Sequence, residues 1–321
     1  MAVHLERIDR HPTPPVAERP PLLFVHGAYC AAWCWDEHFL PFFAENGWSA
    51  TAFSLEGHGG SGGQSWIAIL SIDEYVKNLR QIIATLPSLP ILVGHSMGGF
   101  VIQRYLELGY PAAGVILLAS VPGEGMARSA IRMLGTTPDL LTSLNLFQAD
   151  KRYQPELNQA KRLLFSDSMP EEELAKWAHR FTPESMRAIL DMTLVSFFSV
   201  QALEEIPALV LGGDEDKIIS PSEVVKTARR LHTEAEIVSG CGHMMMLDTV
   251  WQEVAQRMLE WLSLNWPTVT EQPQTVQAEA VTADNVAATP TPNPRRRSTR
   301  RPSSKLSRFA TVRSSEEKSN D

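Results

Sequence analysis

A serine lies between glycines in the stretch GHSMGG, residues 94–99, where an apolar run changes into a helical pattern. Residues 91–93 read as a short buried strand, and apolar residues recur at helical spacing from Phe100 to Leu108. So abrupt a turn from strand to helix imposes a strained backbone on the corner residue, and only small neighbours fit beside it. The pattern predicts a nucleophile elbow, which presents the Ser96 hydroxyl above a sheet at a helix N-terminus.

A serine hydroxyl near neutral pH needs a base, an acid that orients the base, and hydrogen-bond donors for an oxyanion. After a nucleophile elbow these groups follow in the order serine, acid, histidine. His243 fits the base because it follows a short strand and a Gly-Cys-Gly turn. The acid lies among three carboxylates that follow the apolar strand at residues 208–211, namely Asp214, Glu215 and Asp216. Both loops leave the carboxyl ends of strands, where open α/β sheets place their sites.

Two backbone amides are the candidate oxyanion donors. One belongs to Met97, directly after the proposed nucleophile. The other belongs to Ala28, which follows the apolar strand at residues 22–25 and the turn His26-Gly27. Gly27 permits the backbone conformation that turns the Ala28 N–H towards the site. We expect His26 to brace this turn and to take no part in proton transfer.

The chain carries five motifs in a fixed order, FVHGAYCAAWCW, LEGHGGSGG, GHSMGG, GGDEDKIISP and GCGH. In this order and spacing it resembles the α/β-hydrolase superfamily over about residues 20–264, and especially its small cap-bearing serine hydrolases of the esterase and lipase type. The resemblance implies the α/β-hydrolase fold, with a mostly parallel central sheet flanked by helices and a helical cap inserted in the chain.

The resemblance also implies residue roles. In this family the acid usually precedes an apolar pair and a proline, as Asp216 does here, and Asp214 remains the alternative acid. The nucleophile, the base and the two oxyanion donors are then Ser96, His243, Ala28 and Met97. No metal or organic cofactor is expected.

Changes in composition divide the chain into four parts. Residues 1–19 are expected to be an N-terminal extension, in which only HLERI suits a strand because the following segment is rich in proline. Residues 20–122 and 201–266 form the expected hydrolase core. Residues 123–200 form the expected cap, with helical segments separated by Pro, Asp or Ser, namely MARSAIRML, PELNQAKRLLF, PEEELAKWAHRF and PESMRAILDMTLVSFF.

Methionines and aromatic residues of the cap predict an adaptable apolar surface over the site. The predicted substrate-binding residues are Tyr29, Met126, Phe147, Phe197 and Met244. Four further residues belong to the same expected surface: Met133, Met186, Met192 and Phe198. Such a surface favours a substrate with an apolar acyl or aromatic group over a sugar or a phosphate.

The expected reaction is hydrolysis of a carboxylic ester through an acyl-enzyme. Ser96 at the elbow excludes the aspartate mechanism of similar dehalogenases and epoxide hydrolases, and Met244 stands where hydroxynitrile lyases carry a lysine. Hydrolases of carbon–carbon bonds share Ser-Met-Gly-Gly and remain an alternative, as do acyltransferases with the same triad. A small-molecule receptor that keeps the pocket without turnover is the alternative outside catalysis.

The remaining sequence features concern location and partners. Cys30 and Cys34 lack a second ligand pair for zinc, and the N-terminus lacks the apolar segment of a signal peptide. No run of about 18 apolar residues occurs, so the expected location is the cytoplasm. Residues 267–321 are expected to be a disordered basic tail; within residues 271–321 it holds nine Lys and Arg against six Asp and Glu. Such a tail can contact nucleic acid or an anionic surface; the oligomeric state is left open.

Overall fold

The computed structural model describes residues 3–14, 19–149, 156–194, 203 and 205–267. All of them belong to the unit Met1–Thr270. Phe197, Phe198 and the expected tail beyond Pro267 lie outside the described residues.

A seven-stranded sheet runs through the described chain. Its strands are β1 Arg7–Arg10, β2 Leu22–Val25, β3 Ala50–Phe53, β4 Ile91–His95, β5 Gly114–Leu118, β6 Ala208–Gly213 and β7 Ala235–Val238. The spatial order is β1-β3-β2-β4-β5-β6-β7, and every neighbouring pair is parallel except β1 with β3. The mostly parallel α/β sheet that the sequence predicts is confirmed.

The edge strand β1 comes from the expected N-terminal extension. It overlaps the segment HLERI at Arg7 and Ile8 and pairs antiparallel with β3, in the register Arg7 opposite Phe53. The exposed Arg7 and Arg10 at its two ends protect this edge against pairing with another chain. The N-terminal segment therefore contributes one strand to the sheet.

Helices cover both faces of the sheet. One face packs against α1 Trp33–Asp36, α2 Phe39–Glu45 and α11 Trp251–Asn265, and the other against α3 Ile72–Ile83, α4 Met97–Glu107 and α10 Pro221–Arg230. Successive side chains of a strand point to opposite faces, so Leu22 and Phe24 of β2 enter one apolar cluster while Leu23 and Val25 enter the other. This two-sided burial explains why the inner strands are mainly apolar.

Helix ends follow local signals. A capping box between Ser71 and Glu74 begins α3. Gly109, with a φ of 76°, follows the last turn of α4 in the left-handed conformation typical of a C′ glycine. None of the described helices is long and apolar enough to cross a lipid bilayer.

The helical insertion lies between β5 and β6, and we call residues 123–200 the cap. Its helices are α5 Ala127–Thr136, α6 Pro138–Ala149, α7 Leu157–Leu164, α8 Glu171–Ala178 and α9 Met186–Leu194. Four of them lie in the segments that the sequence analysis singled out, whereas α6 was not foreseen. Its local signals are Pro138 at the first helical position and Asp139 in the first turn.

Candidate active site

Ser96 occupies the corner between β4 and α4. Its φ of 51° and ψ of −117° lie outside the favoured regions for an L-residue, a strain on the order of 1 to 3 kcal/mol. The backbone is held there because the Ser96 N–H donates to the Leu118 carbonyl at 3.1 Å and the Ser96 carbonyl accepts from Phe100 and Val121. A side chain at Gly98 would collide with the Val25 and His26 carbonyl oxygens, so α4 approaches β2 closely only with glycine there.

Ser96, His243 and Asp216 form a chain of hydrogen bonds. The His243 Nε2 lies 3.0 Å from the Ser96 Oγ, and the His243 Nδ1 lies 2.8 Å from the Asp216 Oδ2. All three side chains are largely buried, with Ser96 8% and His243 4% exposed. The residues come from three loops at the carboxyl ends of β4, β6 and β7, so the fold brings together groups up to 147 residues apart.

The Asp216 carboxylate is oriented by its own loop. Its Oδ1 accepts hydrogen bonds from the Ile218 N–H at 2.7 Å and the Ile219 N–H at 2.9 Å, which leaves Oδ2 for His243. The rival Asp214 is exposed and instead accepts from the Gly240 N–H at 2.7 Å and the Ser239 hydroxyl at 2.9 Å. Asp214 therefore holds the turn before the histidine and makes no hydrogen bond to His243 in the described structure.

Two side chains that the sequence analysis did not single out fix the loop of His243. The fully buried Asp248 accepts from the Gly242 N–H at 2.9 Å and from the Ser166 N–H and hydroxyl at 2.8 and 2.6 Å. His95 donates from Nε2 to the His243 carbonyl at 2.9 Å. Burial, with a contribution from His243, lowers the pKa of His95 well below its ordinary value, so His95 acts as a neutral donor.

The loop after β2 lies directly against Ser96. A Cβ atom on Gly27 would come within 2.6 Å of the His95 Nδ1 and 3.0 Å of the Ser96 Cβ. His26 Nδ1 donates to the Gly27 carbonyl at 2.8 Å, and His26 Nε2 accepts from the Leu55 N–H at 3.0 Å. Because burial, with the nearby His58, lowers the pKa of His26 to about 3, the ring is neutral and suited to this bracing contact.

The brace on Gly27 determines the direction of the Ala28 amide. In a trans peptide the C=O of one residue and the N–H of the next point in opposite directions. With the Gly27 carbonyl held by His26, the Ala28 N–H points the other way. The Met97 amide is the first of α4, where no preceding turn supplies an acceptor. Among the described residues neither amide donates to a protein group, so both are available to an oxyanion.

A cavity of about 240 Å³ opens onto Ser96 and His243 beneath the cap. The predicted pocket residues Tyr29, Met126 and Met244 line it, and so does Met192. The described lining carries no Asp, Glu, Lys or Arg; its polar side chains away from the proposed catalytic groups are Tyr29, His95, Ser143, Asn145, Gln148, Gln159 and Thr193. The pocket therefore suits a neutral, mainly apolar molecule.

The remaining pocket predictions have different outcomes. Met186 is 54% exposed on the outer face of α9, so its inclusion in the pocket surface is wrong. Met133 is buried in the core cluster and does not line the cavity. Phe197 lies outside the described residues, as does the side chain of Phe147. The helical pattern of the cap was visible in the sequence, but which face of each helix turns towards Ser96 was not.

A sequence profile described as the alpha/beta hydrolase family matches residues 22–257. This range includes the loops of Ser96, Asp216 and His243 and the whole cap. The chain belongs to the alpha/beta hydrolase family.

Three known proteins illustrate what the chain is similar to. A pyrethroid hydrolase of Sphingobium wenxiniae is 26% identical over 212 residues, which cover 62% of this chain and 71% of that protein. Methylesterase 3 of Arabidopsis thaliana is 32% identical over 89 residues, which cover 27% of this chain and only 34% of that protein. A crystal structure of a monoacylglycerol lipase from Paleococcus ferrophilus superposes with a TM-score of 0.61 at 20% identity, covering 82% of this chain and all of that one. At this identity the structural likeness shows the fold alone.

In this hydrolase the cap is joined by polar contacts to the loops of the site that follow β2, β6 and β7. The Thr182 N–H donates to the Tyr29 carbonyl at 3.0 Å beside the Ala28 amide. The Met244 N–H donates to the Leu164 carbonyl at 2.8 Å beside His243. Arg132 donates to the Ile218 carbonyl at 2.5 Å, next to the amides that orient Asp216. The cap thus forms one wall of the site and also supports its loops.

Proposed function

We propose that the protein hydrolyses a neutral carboxylic ester with an apolar acyl or aromatic group through an acyl-enzyme on Ser96. The observation that carries this proposal is the hydrogen-bonded chain from Asp216 through His243 to Ser96 at the mouth of an apolar cavity. An apolar cavity without these hydrogen-bonded side chains would indicate a binding protein. The same three residues beneath a charged pocket would indicate a charged substrate.

In the first step the Ser96 Oγ attacks the ester carbonyl carbon while its proton passes to the His243 Nε2. Asp216 holds the Nδ1–H of His243, which fixes the tautomer and stabilises the imidazolium. The carbonyl oxygen becomes an oxyanion that accepts hydrogen bonds from the Ala28 and Met97 amides. Collapse breaks the bond to the alcohol oxygen, which takes the proton from His243 as it leaves.

In the second step water attacks the acyl-enzyme carbonyl. His243 takes a proton from the water, and the same two amides hold the second oxyanion. When this intermediate collapses, the Ser96 oxygen leaves and regains its proton from His243, and the carboxylic acid departs. No group beyond these side chains and amides enters the scheme.

The names of the relatives agree with this class of reaction. One is a pyrethroid hydrolase, one a methylesterase and one a monoacylglycerol lipase. The absence of charged side chains from the described pocket lining supports a neutral substrate, since a buried charge without a partner costs several kcal/mol.

The test is a series of p-nitrophenyl esters graded by acyl length, read as kcat/KM. We expect turnover by the wild type and a fall of several orders of magnitude in Ser96→Ala with an unchanged circular dichroism spectrum. Labelling of Ser96 by a fluorophosphonate checks the covalent step. Binding of these esters without turnover would indicate a receptor, and cleavage of vinylogous diketones in preference to esters would indicate a carbon–carbon hydrolase.

The same series measures transfer to other acceptors. Addition of methanol or a longer alcohol diverts the acyl-enzyme in an acyltransferase, whereas a hydrolase yields mainly the free acid at low alcohol concentration. A product ratio dominated by the transesterified ester at millimolar alcohol would replace hydrolysis by acyl transfer in the proposal.

A further inference from the structure

An ion pair lies buried between the hydrolase core and the cap. The His58 Nε2 lies 2.9 Å from the Glu184 Oε2, and both side chains are completely buried. His58 belongs to the loop after β3, whereas Glu184 belongs to the cap, 126 residues further along the chain. The proposed catalytic steps use neither residue.

The pair is fully hydrogen-bonded, as a buried charge must be. The Glu184 Oε1 accepts from the Tyr75 hydroxyl at 2.6 Å and the Ser185 N–H at 2.7 Å. The His58 Nδ1 donates to the Glu56 carbonyl at 3.1 Å. Burial opposes charge on both groups, but their mutual attraction and these hydrogen bonds outweigh it, raising the pKa of His58 and lowering that of Glu184. Both shifts favour the ionised form of the pair.

His58 contacts the His26 brace of the loop after β2, residues 26–29, which we call the oxyanion loop. The His58 ring lies against the His26 ring, with centroids 5.0 Å apart. His26 in turn holds the Gly27 carbonyl and thereby the direction of the Ala28 N–H. A displacement of His58 would remove the support on one side of His26.

The other partner holds the cap segment that contacts the same loop from the opposite side. The Thr182 N–H donates to the Tyr29 carbonyl, and Tyr29 has a φ of 66°, which favours glycine over a side chain. The Glu184 backbone is fixed by Gln148, whose amide donates to the Glu184 carbonyl at 2.6 Å and accepts from its N–H at 3.2 Å. His26 thus holds the Gly27 carbonyl, and the cap segment at Thr182 holds the Tyr29 carbonyl on the other side of Ala28. The His58–Glu184 ion pair joins these two supports.

We propose that His58 and Glu184 are positioning residues for the oxyanion loop: their ion pair holds the cap segment and His26 together so that the Ala28 N–H points at the developing oxyanion. The inference rests on the proposed hydrolase function. It implies that loss of the pair weakens binding of the transition state and leaves binding of the ground-state ester unchanged.

The experiment compares Glu184→Gln and His58→Gln with the wild type. Both substitutions are close in size and remove one charge, while a glutamine can still form hydrogen bonds in place of the lost group. Two quantities are measured besides kcat and KM for p-nitrophenyl acetate. One is the Ki of a trifluoromethyl ketone, which adds to Ser96 and places an oxyanion at the Ala28 and Met97 amides. The other is the Ki of an amide with the same shape as the ester substrate, which binds without adding to Ser96.

The matched control is Glu223→Gln. Glu223 is also a buried carboxylate that joins the cap to the core, since it accepts from the Ser129 hydroxyl at 2.6 Å and from Arg132 at 3.2 Å. In the described part of the chain, its side-chain hydrogen bonds go to Ser129, Arg132 and Ser220 and none reaches the oxyanion loop. Glu223→Gln therefore reproduces the loss of a buried carboxylate at the cap without the proposed positioning effect.

We expect Glu184→Gln and His58→Gln to lower kcat and to raise the trifluoromethyl ketone Ki by the same factor, about 10-fold to 100-fold, because removing an oxyanion donor outright costs about 10²-fold to 10³-fold. KM and the Ki of the amide should stay within about twofold, as should all four quantities in Glu223→Gln. The conclusion is drawn from whichever of the two variants keeps the wild-type circular dichroism spectrum.

An unchanged kcat, or equal losses in both Ki values, would overturn the inference. The same selective loss in Glu223→Gln would also overturn it, because the effect would then belong to cap attachment in general. Wild-type protein without ester turnover would refute the proposed function itself, an outcome distinct from normal wild-type turnover with unaffected variants.

Discussion

The strained backbone of Ser96 illustrates how a single residue serves the site at a cost to stability. At a φ of 51° a side chain crowds its own backbone, and only glycine is free of this crowding. The position keeps a serine, which fits the proposed role of its hydroxyl rather than a packing role.

Replacement of Ser96 separates strain from chemistry. Both Ser96→Ala and Ser96→Gly remove the hydroxyl, but only glycine relieves the positive φ. We expect Ser96→Gly to be about 1 kcal/mol more stable towards unfolding than Ser96→Ala, measured by urea denaturation. Equal stability, or a more stable alanine variant, would show that the corner is not strained.

The two aspartates after β6 differ in what they contact. Asp216→Asn should lower kcat on the order of 10⁴-fold, because an amide in place of the carboxylate disfavours the required His243 tautomer. Asp214→Asn should cost less than about tenfold, since Asp214 only holds the Gly240 turn. Steady-state kinetics on one short ester decide between them, and the reverse ranking would transfer the acid role to Asp214.

At the scale of elements, the cap is fixed to the core by charged and polar side chains. The His58–Glu184 pair and Glu223 lie at separate points of this junction. The groups that surround the pair are His26, Tyr29, Tyr75 and Glu56. Such polar attachments make the stability of the cap junction depend on pH.

The pH dependence has a defined sign. The pKa of His58 is raised on folding above the ordinary 6.5, so its stabilisation is complete below about pH 6.5 and is lost as pH rises through the folded pKa. The pKa of Glu184 is lowered below the ordinary 4.5, so its stabilisation is complete above about pH 4.5 and is lost as pH falls through the folded pKa. The pair therefore stabilises the fold most between these limits.

The difference in unfolding free energy between the wild type and His58→Gln measures this effect. We expect it to decrease as pH rises from about 6 to 10, because the wild type alone loses the charged imidazole. Urea denaturation at several pH values gives the difference. A constant difference would mean that folding leaves the pKa of His58 unshifted, and a difference that grows with pH would mean that folding lowers it; either result contradicts the charged pair.

At the scale of the whole molecule, the proposed site is complete before the chain reaches the last of its described helices. His243 precedes α11, which packs its buried face on the sheet through Val254, Met258 and Leu262. After α11, Trp266 contacts Trp261 edge to face and lies close to Gly114. In the described part of the chain, the contacts of the core thus end at about Trp266.

A chain that ends at Pro267 should keep the melting temperature of the full chain and its activity on a small ester. The sequence after that point has no apolar period, and every proposed catalytic residue lies before it. Thermal denaturation and kcat of the two proteins make the comparison. A large fall in either value would show that the basic segment supports the hydrolase. Removal of the segment should also abolish binding of the protein to heparin.

Much of the site could be predicted from the sequence because its signals are local. The elbow around Ser96 and the glycine turn before His243 are short patterns that fix backbone geometry over a few residues. Their order along the chain, with apolar strands before them, predicts the α/β fold. The structure confirms that fold. The prediction succeeded because strand burial and turn chemistry depend little on distant partners.

Other features were decided only by tertiary structure. Asp214 and Asp216 have the same chemistry and lie two residues apart, and only the packed loops show that Asp216 contacts His243. The same holds for the contact of Glu184 with His58 across 126 residues, and for the exposure of Met186 on α9. Sequence patterns specify the direction of a side chain within its own strand or helix, whereas its partners depend on how distant elements pack, which no local spacing records.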